Sequence, residues 1–516
     1  MSNTTNPQND GVKNVESGEV KTVGKFDKFF GISKSGSSLR TEIVAGIVTF
    51  LAMCYILTVN PNQFFYNGIA NNLWASVFMA TAFGAIIGTL LMAFLAKLPL
   101  AQASGMGLNA MVGTIIGGGV GAFSTYVFEF TLANAMFMVL ISGILFFILS
   151  VVSIKGKSLR QKIFEGIPAG IKAAIPVGIG LFIAFIGFQN AKVIVDNPYT
   201  LVDLVNFSLY DINVANAAVC LIGLIVIAIL SHCKIKGAVI FGILFATIIG
   251  IPLGVTNLQI ITGSTDGISW KFWENFGKFF SFGEDSVLGI AFKDGWAMPA
   301  GSIFTVIMII ISMCMIDMFD TMGTCVGCCA EAGLLDENGT PINYDKIMLS
   351  DSIATCTGAL AGTSTVTTFV ESGAGIAAGG KTGCTALVTA IMFFLAIFIL
   401  PVFAMIPSAA SASALVYVGV LMMKNVTKID FTSVKVAVPA FLCIVVMPLG
   451  YSITKGIGIA ILSYVVISIF SYIVEICIYA AKKEKKPEDK PVWDVSIITG
   501  IVAVLFIIYF FIPTVL

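Results

Sequence analysis

Three carboxylates stand where an apolar chain has little use for charge. The segment TVIMIIISMCMIDMFDTMGT, residues 305–324, carries Asp317 and Asp320 three positions apart, so on a helix they share one face. Thr321, Thr324 and Cys328 continue that face by the i, i+4, i+7 rule and its next turn. The third acid, Glu371, lies in TSTVTTFVESGAGIAAGG, residues 363–380, which is polar at first and Gly/Ala-rich afterwards. An ionised carboxylate accepts hydrogen bonds from two directions and takes N–H donors strongly. Burial and a neighbouring like charge both raise a carboxylate's affinity for a proton. These residues therefore suit recognition of a ligand rich in N–H groups, exchange of a proton, or both. Asn109, inside SGMGLNAM (104–111), joins them, although a lone Asn in a span often only bonds a neighbouring helix. Ser104 and Val370, close in sequence to Asn109 and Glu371, complete the candidate set.

The elements that must hold these groups are membrane spans. Hydrophobic residues make up 57% of the 516, charged residues only 11%, and mean hydropathy is +0.96; a soluble domain carries roughly 25% charged residues. No Asp, Glu, Lys or Arg occurs in 43–96, 130–154 or 382–423. A helix crosses the hydrocarbon core with about 20 apolar residues, so the first and last of these runs hold two spans each. Pro61, Asn62 and the Asn71–Asn72 pair are expected to break the first, and Pro401 and Pro407 the last. Further spans are expected at 169–189, 214–231, 238–252, 298–325, 432–450 and 453–476. An acid near the bilayer centre costs roughly 2.5–3.5 kcal/mol on insertion scales, so three of them are not explained by packing.

Charge placement sets an expected orientation. Lys and Arg collect on the cytoplasmic side, and here they cluster at Lys21–Arg40, Lys155–Lys162, Lys234/Lys236, Lys424–Lys435 and Lys482–Lys490. With the N-terminus inside, alternating spans bring every cluster inside and leave 253–296 outside. The 29 basic and 29 acidic residues cancel, which gives no reason to expect nucleic acid as a partner. The first 40 residues are polar and do not resemble a cleavable signal.

Two segments are apolar yet interrupted. Between Lys97 and Glu129 lie 31 uncharged residues broken by Pro99, Gly105, Gly107 and Gly117–Gly119. The segment around Glu371 occupies the matching place in the second half. Such a pair points to the binding site of an inverted-repeat transporter, because bare backbone at that depth must be satisfied by protein or a wet cavity. Gly117–Gly119 read better as close helix packing. GIAAGGKT (375–382) fits the phosphate-loop pattern letter for letter, but the buried strand and soluble α/β unit that make the pattern work are missing. Lys381 is read instead as a cation at a helix end, and the lone GxGxxA at 105–110 is set aside for the same want of a βαβ unit. The Cys325, Cys328, Cys329 cluster lacks further ligands, with His232 the sole histidine, so no metal and no cofactor are expected.

LRTEIVAGIVTFLAMCYIL (39–57), LPLAQASGMGLNA (98–110), IDMFDTMGT (316–324) and TSTVTTFVESGAGIAAGGKTG (363–383) occur in this order. In these blocks the chain resembles AzgA-like purine permeases of the nucleobase:cation symporter-2 (xanthine/uracil permease) family. The resemblance, from about residue 38 to 475, implies an all-α polytopic protein of about fourteen membrane segments in a 7+7 inverted repeat, with core and gate domains and two half-helices carrying short strands at the midplane. It divides the chain into a cytoplasmic tail (1–38), core (39–165 and 297–407), gate (166–255 and 408–480), an extracellular loop (256–296) and a basic linker with an extra apolar segment (481–516). It implies import of adenine, guanine or hypoxanthine by proton symport across the cell membrane, by rigid-body alternating access and without enzymatic activity. Asp317 and Glu371 are then expected to contact the base, and Asp320 and Asn109 to support or couple. Expected partners are a purine, protons and membrane lipid, with homodimer assembly left open. The histidine that the wider family often places near the acid of the eighth helix is missing. The alternatives are an anion transporter of the same fold, disfavoured by three acids in the site, and a sodium-coupled nucleobase symporter.

Overall fold

The computed structural model describes residues 25–65, 71–116, 129–154, 157–197, 199–209, 211–235, 237–256, 258, 268–336, 341–481 and 491–511. After α1 (Lys25–Phe30), the first span is built from α2 (Leu39–Met53) and α3 (Ile56–Phe64). Next, α4 (Trp74–Leu91) ends in a wider turn over Met92–Ala96 and passes through β1 (Gln102–Ser104) into the short α5 (Met106–Ile115). Beyond α6 (Leu132–Val151) come β2 (Ser153–Ile154), β3 (Lys157–Ser158), α7 (Leu159–Gly166) and the span α8 (Ala169–Asn190). The hairpin of β4 (Ile194–Asn197) and β5 (Leu201–Leu204) precedes α9 (Ile212–His232) and α10 (Ala238–Gly250).

The second half repeats this order. Helices α11 (Phe272–Phe280) and α12 (Ile290–Lys293) lie between the halves. Then α13 (Ile303–Ala332) and α14 (Tyr344–Ala361) pass through β6 (Val366–Thr368) into α15 (Ser372–Ala377). The chain continues as α16 (Gly383–Ile397), α17 (Leu400–Ala404), α18 (Ser408–Met422), α19 (Val434–Leu449), α20 (Ile453–Ala481) and α21 (Ile497–Phe511). Each half thus runs span, span, strand with short helix, then four spans, giving the 7+7 arrangement.

Two local features argue for inversion. Strands β1 and β6 pair antiparallel, with Gln102 opposite Thr368, Ala103 opposite Thr367 and Ser104 opposite Val366. Equivalent strands from repeats related by a twofold axis run in opposite directions, as these do. In addition, Thr89 of α4 donates to the Gln102 carbonyl at 3.0 Å, and Thr355 of α14 donates to the Val366 carbonyl at 3.3 Å. Each half therefore fastens the first residue of its strand to the preceding helix through a threonine.

Helices group by contact into two sets. In the first, α14 packs against α4 and α6, and α16 against α2 and α4; in the second, α8 packs against α18 and α19, with α9 on α10 and α18. Several sequence expectations shift. Pro61 lies inside α3, and the break falls after Phe64. The span expected at 298–325 starts later and runs longer, as α13. Helix α14 was not anticipated, because Asp345, Lys346 and Asp351 spoil its apolar pattern; Asp351 and its neighbouring Ser and Thr side chains are buried against protein. Gly117–Gly119 and Lys482–Lys490 lie outside the described residues.

Candidate functional site

The strand pair brings the two short helices, more than 250 residues apart in sequence, to opposite ends of one buried sheet. Beside it opens a cavity of about 310 Å³. Its floor is Met106 and Gly107 from the first turn of α5 together with Thr368, Phe369, Val370 and Glu371, which link β6 to α15. Asp320, Gly323, Thr324, Gly327 and Cys328 of α13 form one wall, and Pro176, Ile179 and Ile183 of α8 with Val418, Leu421 and Met422 of α18 form the other. Lys424, Asn425 and Lys428 stand at the mouth. The first turn of a helix leaves N–H groups without intrahelical partners, so α5 supplies donors where Glu371 and Asp320 supply acceptors.

Glu371 is buried and held from one side. Tyr55, between α2 and α3, donates its hydroxyl to Oε1, while Oε2 has no hydrogen-bond partner among the described residues. A buried polar oxygen without a partner is costly, and here its residue lines a cavity. Close packing fixes the helix beneath it: a Cβ on Gly375 would meet Thr49 Oγ1 at 2.0 Å, so only glycine lets α15 lie against α2 at this point. Val370 is half-exposed beside Glu371. Asp320 lines the opposite wall.

The remaining candidates lie behind the sheet and do not line this cavity. Asp317 is buried and accepts from Thr355 Oγ1 at 3.1 Å through Oδ2, while Oδ1 has no partner among the described residues. The polar stripe of α13 therefore divides. Asp317 and Thr321 turn toward α14, where Thr321 Oγ1 donates to Asp351 at 2.9 Å; Asp320, Thr324 and Cys328 turn to the cavity. Ser104 and Asn109 are fully buried and join the two interrupted segments. Ser104 Oγ donates to Asn109 Oδ1 at 2.7 Å and lies 2.8 Å from Ser364 Oγ, and Ser364 also donates to Asn109 Oδ1.

Sequence reading missed three side chains here. Tyr55 looked like one more aromatic in an apolar run. Arg160 belongs to a basic cluster taken as water-facing, yet it is fully buried, with its guanidinium 3.1 Å from Asp351 and its Cζ 3.5 Å from the centre of the Phe146 ring. Glu42, at the edge of the first run, explains the phosphate-loop pattern. Its carboxylate accepts from the backbone N–H groups of Lys381, Thr382 and Thr385 at 3.1–3.3 Å and from the Thr382 and Thr385 hydroxyls at 2.9 and 2.6 Å. Donors that cradle phosphate in a nucleotide site are taken up here by the chain's own acid, and Glu42 is fully buried.

Similarity to known proteins accords with this geometry. A family model described as "Permease family", the xanthine/uracil permeases, matches residues 40–459. The chain is 35% identical over 445 residues to the guanine/hypoxanthine permease PbuG of Bacillus subtilis, covering 84% of this chain and 92% of that one. It is 33% identical over 449 residues to the adenine permease AdeP of Escherichia coli, covering 86% and 91%. Among solved structures, the transmembrane domain of a cyanobacterial bicarbonate transporter, BicA, superposes with a TM-score of 0.56 at 16% identity, over 82% of this chain and 97% of that one. Murine Slc26a9, an anion transporter solved in the inward-facing state, gives 0.53 at 12% identity, over 89% and 74%. At such low identity these two speak for the fold alone, whereas the sequence relatives match over most of the chain at 33–35% identity. With strand-paired half-helices, an acid-lined cavity and a match across most of its length, the chain belongs to the xanthine/uracil permease family, as a multi-pass membrane permease and not an enzyme.

Proposed function

We propose that the protein imports adenine, guanine or hypoxanthine together with protons. The observation that carries this is Glu371, whose Oε2 is unpartnered among the described residues, lining with Asp320 a cavity of about 310 Å³. A purine brings ring N–H groups for carboxylates, ring nitrogens for the N–H groups of α5, and two flat faces for Ile179, Ile183 and Phe369. The printed activities of the relatives, on adenine and on guanine with hypoxanthine, support the same class. The bicarbonate and anion cargoes of the structural neighbours suit a site without acids, and this cavity holds two. Glu371 and Asp320 contact the base directly, with Val370 beside them on the cavity floor; Asp317, Asn109 and Ser104 support them from behind the sheet. Asp320, Asp317 and Glu371 are the groups able to carry the coupling proton.

With Lys424 and Lys428 on the cytoplasmic side, the cavity opens inward and the N-terminus is cytoplasmic. The set α2–α6 with α13–α16 then moves as a core against the gate of α8–α10 with α18–α20, around a fixed site. An impermeant thiol reagent on intact cells should label Lys271→Cys and spare Lys428→Cys; the reverse pattern overturns this orientation.

Uptake of labelled hypoxanthine into proteoliposomes under an imposed pH gradient, with and without sodium, tests the function. Accumulation should follow the pH gradient, collapse with a protonophore and ignore sodium. Accumulation that needs sodium and ignores the protonophore refutes proton coupling. Absence of purine binding or uptake refutes the substrate class.

A further inference from the structure

Helix α7 is fastened at both ends, to different parts of the molecule. Near its start, Arg160 is buried in the first set of helices. Its Nη2 lies 3.1 Å from Asp351 Oδ2, and its Nη1 donates to the Met348 carbonyl at 3.4 Å. The other oxygen of Asp351 accepts from Thr321 Oγ1 at 2.9 Å and from Gln102 Nε2 at 3.1 Å. Gln102 Nε2 also donates to Thr368 Oγ1 at 3.3 Å. Gln102 and Thr368 are register partners in the sheet, and Thr368 lines the cavity. Three hydrogen-bonded steps therefore join α7 to the floor of the substrate site.

The last residue of α7 is held elsewhere. The Gly166 carbonyl accepts from Ser496 Oγ at 2.8 Å and from Thr499 Oγ1 at 2.7 Å. Thr499 belongs to α21 and Ser496 immediately precedes it. In turn α21 is seated on α20: a Cβ on Gly458 would come within 2.5 Å of the Phe506 ring and 2.9 Å of Phe510. Tyr464 of α20 donates to the Asp494 carbonyl at 3.3 Å. The permease family model ends at residue 459, so α21 lies beyond the part of the chain the family accounts for.

We propose that α7 is a two-ended link between core and gate, with Arg160 positioning the strand pair at one end and α21 anchoring Gly166 to the gate at the other. This rests on the rigid-body reading above. If the core moves against the gate, a link tied to both limits and directs the travel. Removing the α21 contacts leaves Gly166 joined to the gate only through the two residues that lead into α8, and it leaves the base site intact, because Arg160 still holds Asp351. It also lets the core reach positions that do not lead to release, so turnover falls. Disturbing the Arg160 end loosens the sheet itself, so affinity falls. Ser496, Thr499 and Arg160 are positioning residues, and the split between rate and affinity separates this role from general support of the fold.

The experiment compares the full chain with a chain ending at Lys490, with Ser496→Ala/Thr499→Val, with Ser496→Thr/Thr499→Ser, and with Arg160→Lys. Labelled hypoxanthine is the probe, for equilibrium binding in detergent and for uptake in proteoliposomes. The truncated chain and the Ala/Val pair should lose at least threefold in maximal uptake rate, with Kd within twofold of the parent. The pair that keeps both hydroxyls should regain the parent rate. Arg160→Lys keeps the charge but loses the planar fork, and should raise Kd at least fivefold. A truncated chain transporting at the parent rate overturns the link, and so does one whose Kd rises in step with its loss of rate. Failure of the parent itself to bind hypoxanthine would strike the substrate reading instead. A parent that binds and transports beside an unaffected truncation strikes the link alone.

Discussion

The two interrupted segments share one architecture and differ in chemistry. In the first, β1 leads into α5 and its polar side chains face inward: Ser104 and Asn109 bond one another and Ser364. In the second, β6 leads into α15, and at the same junction an acid with one unpartnered oxygen lines a cavity. Pseudosymmetry supplies the frame, including the paired threonines Thr89 and Thr355. In the proposed site, the substrate is recognised where the symmetry fails.

The largest test of that contrast is Glu371→Gln. The amide keeps the size but replaces an acceptor with a donor facing the ligand's own N–H, and hydrogen bonds to charged groups are worth roughly 1.5–3 kcal/mol. Hypoxanthine affinity should fall about 100-fold at the upper end of that range, with the helical circular dichroism unchanged. An unchanged Kd would remove Glu371 from the site. Glu42→Ala should act differently. It strips the acceptor from five donors at the exit of the second segment. Stability should fall by about 3 kcal/mol, read as a lower melting temperature in detergent, with the affinity of the folded fraction held within about threefold.

Smaller effects sharpen the comparison. Tyr55→Phe removes the donor to Oε1 and should weaken hypoxanthine binding about fivefold, the worth of about 1 kcal/mol. A Kd equal to the parent's would show that Tyr55 does not orient Glu371. Last come the two threonines. Thr89→Val and Thr355→Val each remove one bond to a strand carbonyl, at about 1 kcal/mol. Each also loses a second bond, Thr89 as acceptor from the Gln102 N–H and Thr355 as donor to Asp317, and the second should cost more because the group it strands is a carboxylate. Equal losses in denaturant unfolding would mean that the two halves are interchangeable here.

Local pattern carried much of the fold. Charge-free runs place most spans, and the switch from Thr-rich to Gly-rich sequence around Glu371 marks a strand followed by a half-helix. What escaped depended on partners far along the chain. Glu42 and Thr385 are 343 positions apart, and Tyr55 and Glu371 are 316 apart. Asp351 hid an entire span, since a hydropathy pattern cannot tell a polar helix face that meets protein from one that meets water. Arg160 was read by the rule that places basic residues at the membrane surface, a rule that holds for a cluster and fails for a member with a buried partner. The split of the α13 stripe is a matter of rotation: residues sharing a broad face by spacing still meet different neighbours once α14 covers one edge of it.

The Glu42 contact has a consequence for solution conditions. An anion tethered within the same polypeptide competes at an effective concentration in the millimolar range or above, set by the chain and not by the medium. Phosphate or nucleotide from solution would have to displace it from a buried site while leaving a carboxylate stranded there. The turn at 379–382 is therefore indifferent to the cell's phosphate supply, and its glycines answer to an internal counter-ion whatever the concentration outside.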